Sequence, residues 1–362
     1  MKIVFVVDDY SGGAGNIIQL LATEYAKENE VAVLLTNYCS EKRYPCEGVV
    51  FRHLGVNEKP KGGLKVFAYQ VKWIRERIKE EKPDVVISFL TINNLFVCLG
   101  HLWKKLPIIA CERINPLGRK EKFPWNVLTR LAYNRAELLT VQFEDFCRMY
   151  DGKYLEKCRV TPNYIATPEK TKDLMTKSEI TRFVSCGRLN ASKQFELLLE
   201  MFARIHTQNP KTELRIYGKG PYEERLQKQI RELGLEDCAF LMGYANGTYG
   251  VLLESDVYLM SSSNEGFPNA LSEAMAVGLP SVAFRCNGGI DTLSDNGRRC
   301  AVIDPEDREG FINACLELCG NEEKRKAYAE NAKEVCQVYS LENVKKIWDA
   351  CIAEAMERSN SK

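Results

Sequence analysis

The chain has 362 residues, 45% hydrophobic and 27% charged, with a formal net charge of +1; that length suits two domains, and the balance excludes a disordered or fibrous chain. No apolar run reaches the ~18–20 residues of a membrane span, so any membrane contact is expected to be peripheral. The charge is uneven, with 25 Lys/Arg against 19 Asp/Glu in residues 1–165 and 25 against 30 in the remainder. A basic N-terminal half of this kind is either a set of solvated faces or a surface for an anionic partner, and no nucleic-acid module accompanies it.

Strand-like and helix-like segments alternate from the start. Residues 2–7 read as a buried strand, too short an apolar run for a secretory leader. Ser11-Gly12-Gly13-Ala14-Gly15-Asn16 reads as a glycine turn, and residues 17–26 have helical spacing. Residues 31–36 and 49–53 read as strands, 64–81 as a long amphipathic helix stopped by Pro83, and 85–89 and 108–111 as apolar strands. Residues 159–164 and the polar stretch 166–181 have linker composition, which places a domain boundary near 165–180. A second series follows: strands at 183–186, 213–217, 239–242, 256–260 and 281–284, helices at 193–206, 222–233 and near 250–254, and a last helix from about 341 to 358. The alternation predicts two Rossmann-like α/β domains with parallel sheets facing a central cleft. Their bounds are 1–165 and 166–340, the last helix packing back on the first domain.

The 14 cysteines are scattered without a C-x-x-C pair. They are expected to be reduced thiols of a cytosolic protein, and no zinc site is expected.

Four stretches carry chemistry. Gly187-Arg188-Leu189-Asn190-Ala191-Ser192-Lys193 puts two cations in the loop and first helical turn after a strand, where they can clamp a diphosphate. Glu265-Gly266-Phe267-Pro268-Asn269-Ala270-Leu271-Ser272-Glu273 places one carboxylate before a helix start and another about a turn inside it. The free N–H groups of such a helix start bind anions, at the carboxyl edge of a parallel sheet. Gly218-Lys219-Gly220-Pro221 and Met242-Gly243-Tyr244 end two further strands; each reads equally as a plain turn or as a ligand edge. Gly13-Ala14-Gly15 opens like a dinucleotide fingerprint, but Ile18 stands at its third glycine and Thr36-Asn37 where its acidic residue belongs, which disfavours a nicotinamide cofactor.

Taken together, Gly187-Arg188…Lys193, Tyr217-Gly218-Lys219-Gly220-Pro221, Met242-Gly243-Tyr244, Ser255-Asp256-Val257 and Glu265-Gly266-Phe267-Pro268…Glu273-Ala274-Met275-Ala276-Val277-Gly278-Leu279-Pro280 resemble the retaining nucleotide-sugar glycosyltransferases of the GT-B fold, in the large fourth sequence family. The similarity is specific over residues 182–305 and diffuse before them. Within the family it is nearest to bacterial enzymes that extend polyprenyl-diphosphate-linked sugars or surface polysaccharides. The resemblance implies a UDP-sugar donor held by Arg188 and Lys193 at the diphosphate, with Glu265 beside the sugar and phosphate and Glu273 on the ribose hydroxyls. It implies backbone contacts from Gly266, Phe267, Pro268, Asn269 and Ala270 to the sugar or β-phosphate. Gly218, Gly243 and Tyr244 would border the nucleotide, and Gly13 and Gly15 would approach the phosphates. Retention would follow front-face attack, the leaving phosphate taking the acceptor's proton. With no D-x-D pair, no cofactor and no obligatory metal are expected.

Many relatives carry a histidine after a late strand of the first domain. Here that strand runs into Glu112-Arg113-Ile114-Asn115-Pro116, so Glu112 and Arg113 are the acceptor-side candidates. Arg119, Lys120, Lys122, Phe123, Trp125, Leu128, Arg130 and Leu131 mix basic and aromatic groups around a predicted helix. That pattern suits either an anionic membrane at the inner face of the cell membrane or ordinary packing on the sheet. The acceptor is then a lipid-linked or saccharide precursor. Two other readings stand beside this one: another GT-B enzyme, such as a sugar-nucleotide epimerase or disaccharide synthase, and a silent nucleotide-sugar-binding subunit.

Overall fold

Apolar runs such as Ile3 to Val7 and Val85 to Ile87 are buried on both faces, as parallel strands covered by helices require. In the computed structural model, which describes residues 1–8, 12–37, 46–54, 63–103, 105–114, 124–173, 179–245, 247–286 and 289–361, these runs build two units. One comprises residues 1–163 with 342–362, the other residues 164–341.

The first unit runs β1 (Lys2–Val7), α1 (Gly12–Ala26), β2 (Glu30–Leu35), β3 (Val49–His53), α2 (Gly63–Glu81), β4 (Val85–Phe89), α3 (Thr91–Gly100), β5 (Ile108–Cys111), α4 (Trp125–Arg135), β6 (Leu138–Val141), α5 (Glu144–Cys147), α6 (Gly152–Glu156) and β7 (Cys158–Val160). Its seven strands lie in the order β3-β2-β1-β4-β5-β6-β7, all parallel. Strand order therefore reverses between β1 and β4. Ile74, Ile78 and Phe96 of α2 and α3 pack with Val4, Val86 and Ile108 in one core cluster.

Two expectations change here. The glycines at 12, 13 and 15 form the first turn of α1 rather than a separate turn. First-turn amides have no intrahelical acceptor, so glycine's weak helix preference costs least there. Residues 158–160, read in part as linker, form the edge strand β7; three residues are too few to show a period.

The second unit runs β8 (Thr181–Cys186), α7 (Phe195–Gln208), β9 (Thr212–Tyr217), α8 (Glu223–Glu232), β10 (Ala239–Gly243), α9 (Thr248–Leu253), β11 (Val257–Met260), α10 (Asn269–Ala276), β12 (Ser281–Phe284), α11 (Ile290–Ser294), β13 (Ala301–Ile303), α12 (Arg308–Gly320), α13 (Glu322–Ala332) and α14 (Val335–Val338). Its six strands lie in the order β10-β9-β8-β11-β12-β13, again parallel, with the reversal between β8 and β11. Phe183, Phe202, Leu214, Val257, Phe284 and Phe311 anchor its core.

Helix α15 (Leu341–Asn360) belongs to the first unit from Glu342 on. The fully buried Trp348 stacks on Phe89, ring centroids 5.8 Å apart. The Tyr25 hydroxyl donates to Asp349 Oδ1 at 2.8 Å, and Arg159 pairs with Glu354 at 2.6 Å. Thirteen cysteines lie in the described part, all free thiols. Among the described residues no helix is long and apolar enough to cross a membrane.

Candidate functional site

In the second unit the strand order decides which loops meet. β8 and β11 are neighbours at the reversal, so the segments leaving their carboxyl ends are brought together although some 70 residues separate them in sequence. In parallel sheets the crevice outside such a reversal is where ligands bind.

After β8 the chain passes Gly187, the exposed Arg188 and the buried Leu189 into a single 3-10 turn, Ala191–Lys193. Gln194 then takes a left-handed conformation, φ 49°, before α7 begins at Phe195. Lys193 therefore ends a separate turn and is not in the first turn of the long helix, as its sequence position suggests. Stopping that turn one residue before α7 aims the Lys193 side chain back over Gly187. A Cβ at 187 would lie 3.0 Å from Lys193 Cε, so the glycine makes room for the lysine stem. The turn is pinned from the β11 side: the Ser261 hydroxyl donates to the Lys193 carbonyl oxygen at 2.8 Å, and the Ser263 amide to that of Ser192 at 2.9 Å.

Lys193 Nζ sits 2.5 Å from Glu265 Oε1, in the loop between β11 and α10. Both side chains are largely shielded from solvent. The Arg188 guanidinium, in contrast, has no hydrogen bond or ion pair among the described residues. Phe267 turns its ring inward, edge-on to Tyr339 at 5.9 Å, so its backbone is the part left toward a ligand. Pro268 precedes α10; at the helix start the Asn269 amide donates to the Phe267 carbonyl oxygen at 2.9 Å, and the Ala270 N–H lies in the first turn, where helices supply no acceptor. Gly278, φ 74°, closes the same helix, its amide bonded to the Met275 carbonyl oxygen at 2.9 Å.

Glu273 lies inside α10. Burial pushes its carboxyl above the ordinary glutamate value, and a hydrogen bond from the Thr248 hydroxyl at the start of α9 pulls it back. Glu265 and Glu273 flank one buried spot: Tyr258 of β11 is driven well above the usual phenol value by burial, then by Cys186 and by both carboxylates. Cys186 and Cys286 are each pushed up to about 12, first by burial and then by Glu273 and Glu265 respectively, with Lys193 opposing in both cases. Around Lys193 the structure thus gathers two carboxylates and two unreactive thiols.

Gly218 and Gly243 complete the edge. Gly218 has φ 148°, and a Cβ there would lie 1.8 Å from the Gly187 carbonyl oxygen, so no other residue fits without moving the Arg188 loop. Its amide donates to the Gly243 carbonyl oxygen at 2.7 Å, joining the ends of β9 and β10. Gly243, φ 70°, turns the chain so that Lys219 Nζ lies 5.7 Å from the ring of the exposed Tyr244, a cation–π pair beside a flat aromatic face.

In the first unit Glu112 and Arg113 are buried and bonded. The Glu112 carboxylate accepts from Thr91 Oγ1 at 2.5 Å, Asn94 Nδ2 at 3.0 Å and Tyr133 Oη at 2.6 Å. Arg113 donates to the Thr161 carbonyl oxygen at 2.6 Å and to the Thr161 hydroxyl at 2.9 Å, and lies over the Phe89 and Trp348 rings. These side chains hold β5, β6, α3 and α15 together. Gly13 and Gly15 lie in the first turn of α1, in this unit. Sequence reasoning missed Asp8, at the carboxyl end of β1. Asn93 Nδ2 donates to Asp8 Oδ1 at 2.8 Å and to the Phe89 carbonyl oxygen at 2.9 Å, and the Thr36 hydroxyl lies 3.1 Å from the same carboxylate oxygen.

Arg119, Lys120, Lys122 and Phe123 of the basic and aromatic segment lie outside the described residues. Its remaining part is α4, with Trp125, Val127, Arg130 and Leu131 exposed and Leu128 packed inward. Leu131 lines a groove of about 450 Å³ with Leu102, Lys105 and Trp103, and Trp103 is 97% exposed.

Residues 167–335 match the family model described as Glycosyl transferases group 1. The chain is 26% identical to the GalNAc-alpha-(1->4)-GalNAc-alpha-(1->3)-diNAcBac-PP-undecaprenol alpha-1,4-N-acetyl-D-galactosaminyltransferase of Campylobacter jejuni, over 98% of this chain and 99% of that one. It is 25% identical to the amylovoran biosynthesis glycosyltransferase AmsD of Erwinia amylovora, over 96% and 98%. Among solved structures, Anabaena HepE in complex with UDP and glucose superposes with a TM-score of 0.77 at 19% identity, covering 99% of each chain.

Proposed function

Since the chain is a glycosyltransferase of the GT-B fold, we propose that it moves a hexosyl or N-acetylhexosaminyl group from a UDP-sugar to a polyprenyl-diphosphate-linked or polysaccharide precursor, with retention at the anomeric carbon. The observation that carries the reading is the Lys193–Glu265 pair at the reversal of the second sheet, beside Arg188, unpaired among the described residues, and the start of α10. Cleavage at the anomeric carbon leaves negative charge on the diphosphate. Arg188, Lys193 and the first-turn amides of α10 are fixed cationic or dipolar groups at one edge, and they stabilise that charge as it develops. Glu265, paired with Lys193, keeps the lysine extended until a donor diphosphate competes for it. Glu273 accepts from the ribose hydroxyls, and Tyr244 offers its face to the base.

The fixed cations take the place of a metal in this reading, so turnover persists in EDTA. The acceptor class is supported by the Campylobacter and Erwinia relatives, whose names give an undecaprenol-linked saccharide and amylovoran biosynthesis. The exposed Trp103, Trp125 and Leu131 beside Lys105 and Arg130 support peripheral contact with an anionic membrane carrying that acceptor, at the cytoplasmic face.

The test is transfer from a panel of UDP-sugars to a short polyprenyl-diphosphate-linked N-acetylhexosamine saccharide, with product anomer assigned by NMR. Lys193→Ala is expected to lower kcat by about 10²–10³-fold, the scale of removing one preorganised charge-stabilising donor. Glu265→Gln is expected to lower it by about 10–100-fold, the scale of a charge-assisted hydrogen bond. Unchanged turnover in both variants overturns the assignment, and so does wild-type protein that binds UDP yet transfers to no acceptor.

A further inference from the structure

The two sheets reverse strand order in the same way, and in each the carboxyl ends of the two strands flanking the reversal carry a fixed polar constellation. In the second unit it is the donor edge. In the first unit it is Asp8 after β1 and Asn93 after β4, and nothing so far gives it a task.

We infer that Asp8 binds an uncharged hydrogen-bond donor of the acceptor saccharide, a hydroxyl or an acetamido N–H. This rests on the transferase reading above. Three observations lead there. Asp8 lies at the reversal between β1 and β4, where open parallel sheets bind their ligands. Its carboxylate is built to one orientation: Oδ1 takes the Asn93 amide at 2.8 Å and faces, at 3.1 Å, the Thr36 hydroxyl, which also lies 3.0 Å from Asn93 Oδ1; both partners are buried. Oδ2 accepts nothing among the described residues, and the residue is half-buried, so one lone-pair set remains directed outward. The chain also leaves β4 through Leu90 at φ 74°, a conformation unfavourable for leucine, and Asn93 follows within the first turn of α3.

The charge fixes what is bound. No cation is bonded to Asp8 among the described residues, so a phosphate oxygen placed there would be repelled. A saccharide hydroxyl or amide N–H instead gains a charge-assisted bond. Asp8 therefore reads the sugar end of the acceptor and not its diphosphate. Glu112, which follows β5 two strands along the same sheet edge, cannot share the task because three donors already occupy it.

The experiment compares steady-state kinetics of wild type, Asp8→Asn, Thr36→Val and Thr36→Ser on the same lipid-linked saccharide and UDP-sugar. Asp8→Asn keeps an oxygen for Asn93 and Thr36 but loses the charge. Its acceptor KM is expected to rise about 10–100-fold, the scale of a hydrogen bond to a charged group, with the donor KM within about twofold. Thr36→Val, which removes the hydroxyl that Asp8 Oδ1 and Asn93 Oδ1 share, is expected to raise the acceptor KM about threefold, and Thr36→Ser to restore it. An unchanged acceptor KM in Asp8→Asn overturns the inference, as does an equal rise in both KM values. Wild-type transfer in the same assay separates either result from failure of the transferase reading, which would show as no transfer by any form.

Discussion

Glu273 is held between burial, which favours its neutral form, and the Thr248 hydroxyl, which favours its charged form, and burial wins. A carboxyl raised in this way takes its proton earlier on acidification than an ordinary glutamate. For stability the sign is that the charged form costs the folded state free energy above its folded pKa, a cost relieved as pH falls through that value. For binding the sign is opposite, because a protonated Glu273 no longer offers two acceptor oxygens to a ribose. UDP-glucose affinity, followed by calorimetry as the pH is lowered, should therefore begin to weaken above pH 4.5, the ordinary glutamate value. Glu273→Gln should bind more weakly at neutral pH and lose that pH dependence; an equal slope in both proteins would count against the ribose contact. UDP-glucose suits this measurement because, unlike UDP, it has no terminal phosphate titrating in the same range. At this scale the charged groups that gather at the β8–β11 reversal were legible in the sequence, since Arg188, Lys193, Glu265 and Glu273 stand in short motifs after strands. Asp8 was not. One aspartate at a strand end has no period, and its meaning comes from Thr36 and Asn93, which only the pairing of β1 with β2 and β4 brings to it.

Elements shift what single residues promise. Lys193 follows its strand as expected, yet the left-handed Gln194 cuts the predicted helix into a 3-10 turn and α7. Without that break the lysine would follow the helical rotation, and its carbonyl would not meet the Ser261 hydroxyl. Glutamine has no strong preference for positive φ, which is why the sequence does not announce the break. The short edge strand β7 was hidden for a related reason: its partner β6 defines it, not its own pattern. On α4 the pattern was legible in kind but not in extent. The fully exposed Trp103 belongs to the turn after α3, and only the packing of α3 on α4 sets it in one groove with Leu131. Flotation with phosphatidylglycerol vesicles should show binding that Trp103→Ser weakens by about tenfold, equivalent to losing roughly 60 Å² of apolar contact at ~25 cal/mol/Å². Phosphatidylcholine vesicles should bind less than the anionic ones in both forms. Equal binding of Trp103→Ser and wild type would remove this surface from the membrane reading.

For the molecule as a whole, alternation of strands and helices was sufficient to give two parallel α/β sheets, because buried parallel strands must be apolar throughout and crossover helices must intervene. Strand order was not readable, since each β8-type strand can pair with any apolar neighbour until the helices choose a face. Helix α15 lies in the first unit from Glu342 on. Trp348 fills the space against Phe89 and under Arg113. Trp348→Ala should cost about 3–5 kcal/mol, the usual range for a buried tryptophan. Hydrogen exchange should place the loss in β4 and β5 of the first unit while α7 and β9 of the second keep their protection. A uniform loss across both units would contradict that placement.

That returning helix bears on how the protein is made. Residues 164–341 are translated after the seven-stranded sheet is complete and before the segment that covers Phe89 exists. At ~5–20 residues per second the nascent sheet waits roughly 10–40 s with that apolar surface bare before the α15 segment is made. A chaperone that shields apolar surface during this interval should therefore raise the yield of native enzyme, and a stop codon placed at Leu341 should damage the seven-stranded unit made long before it.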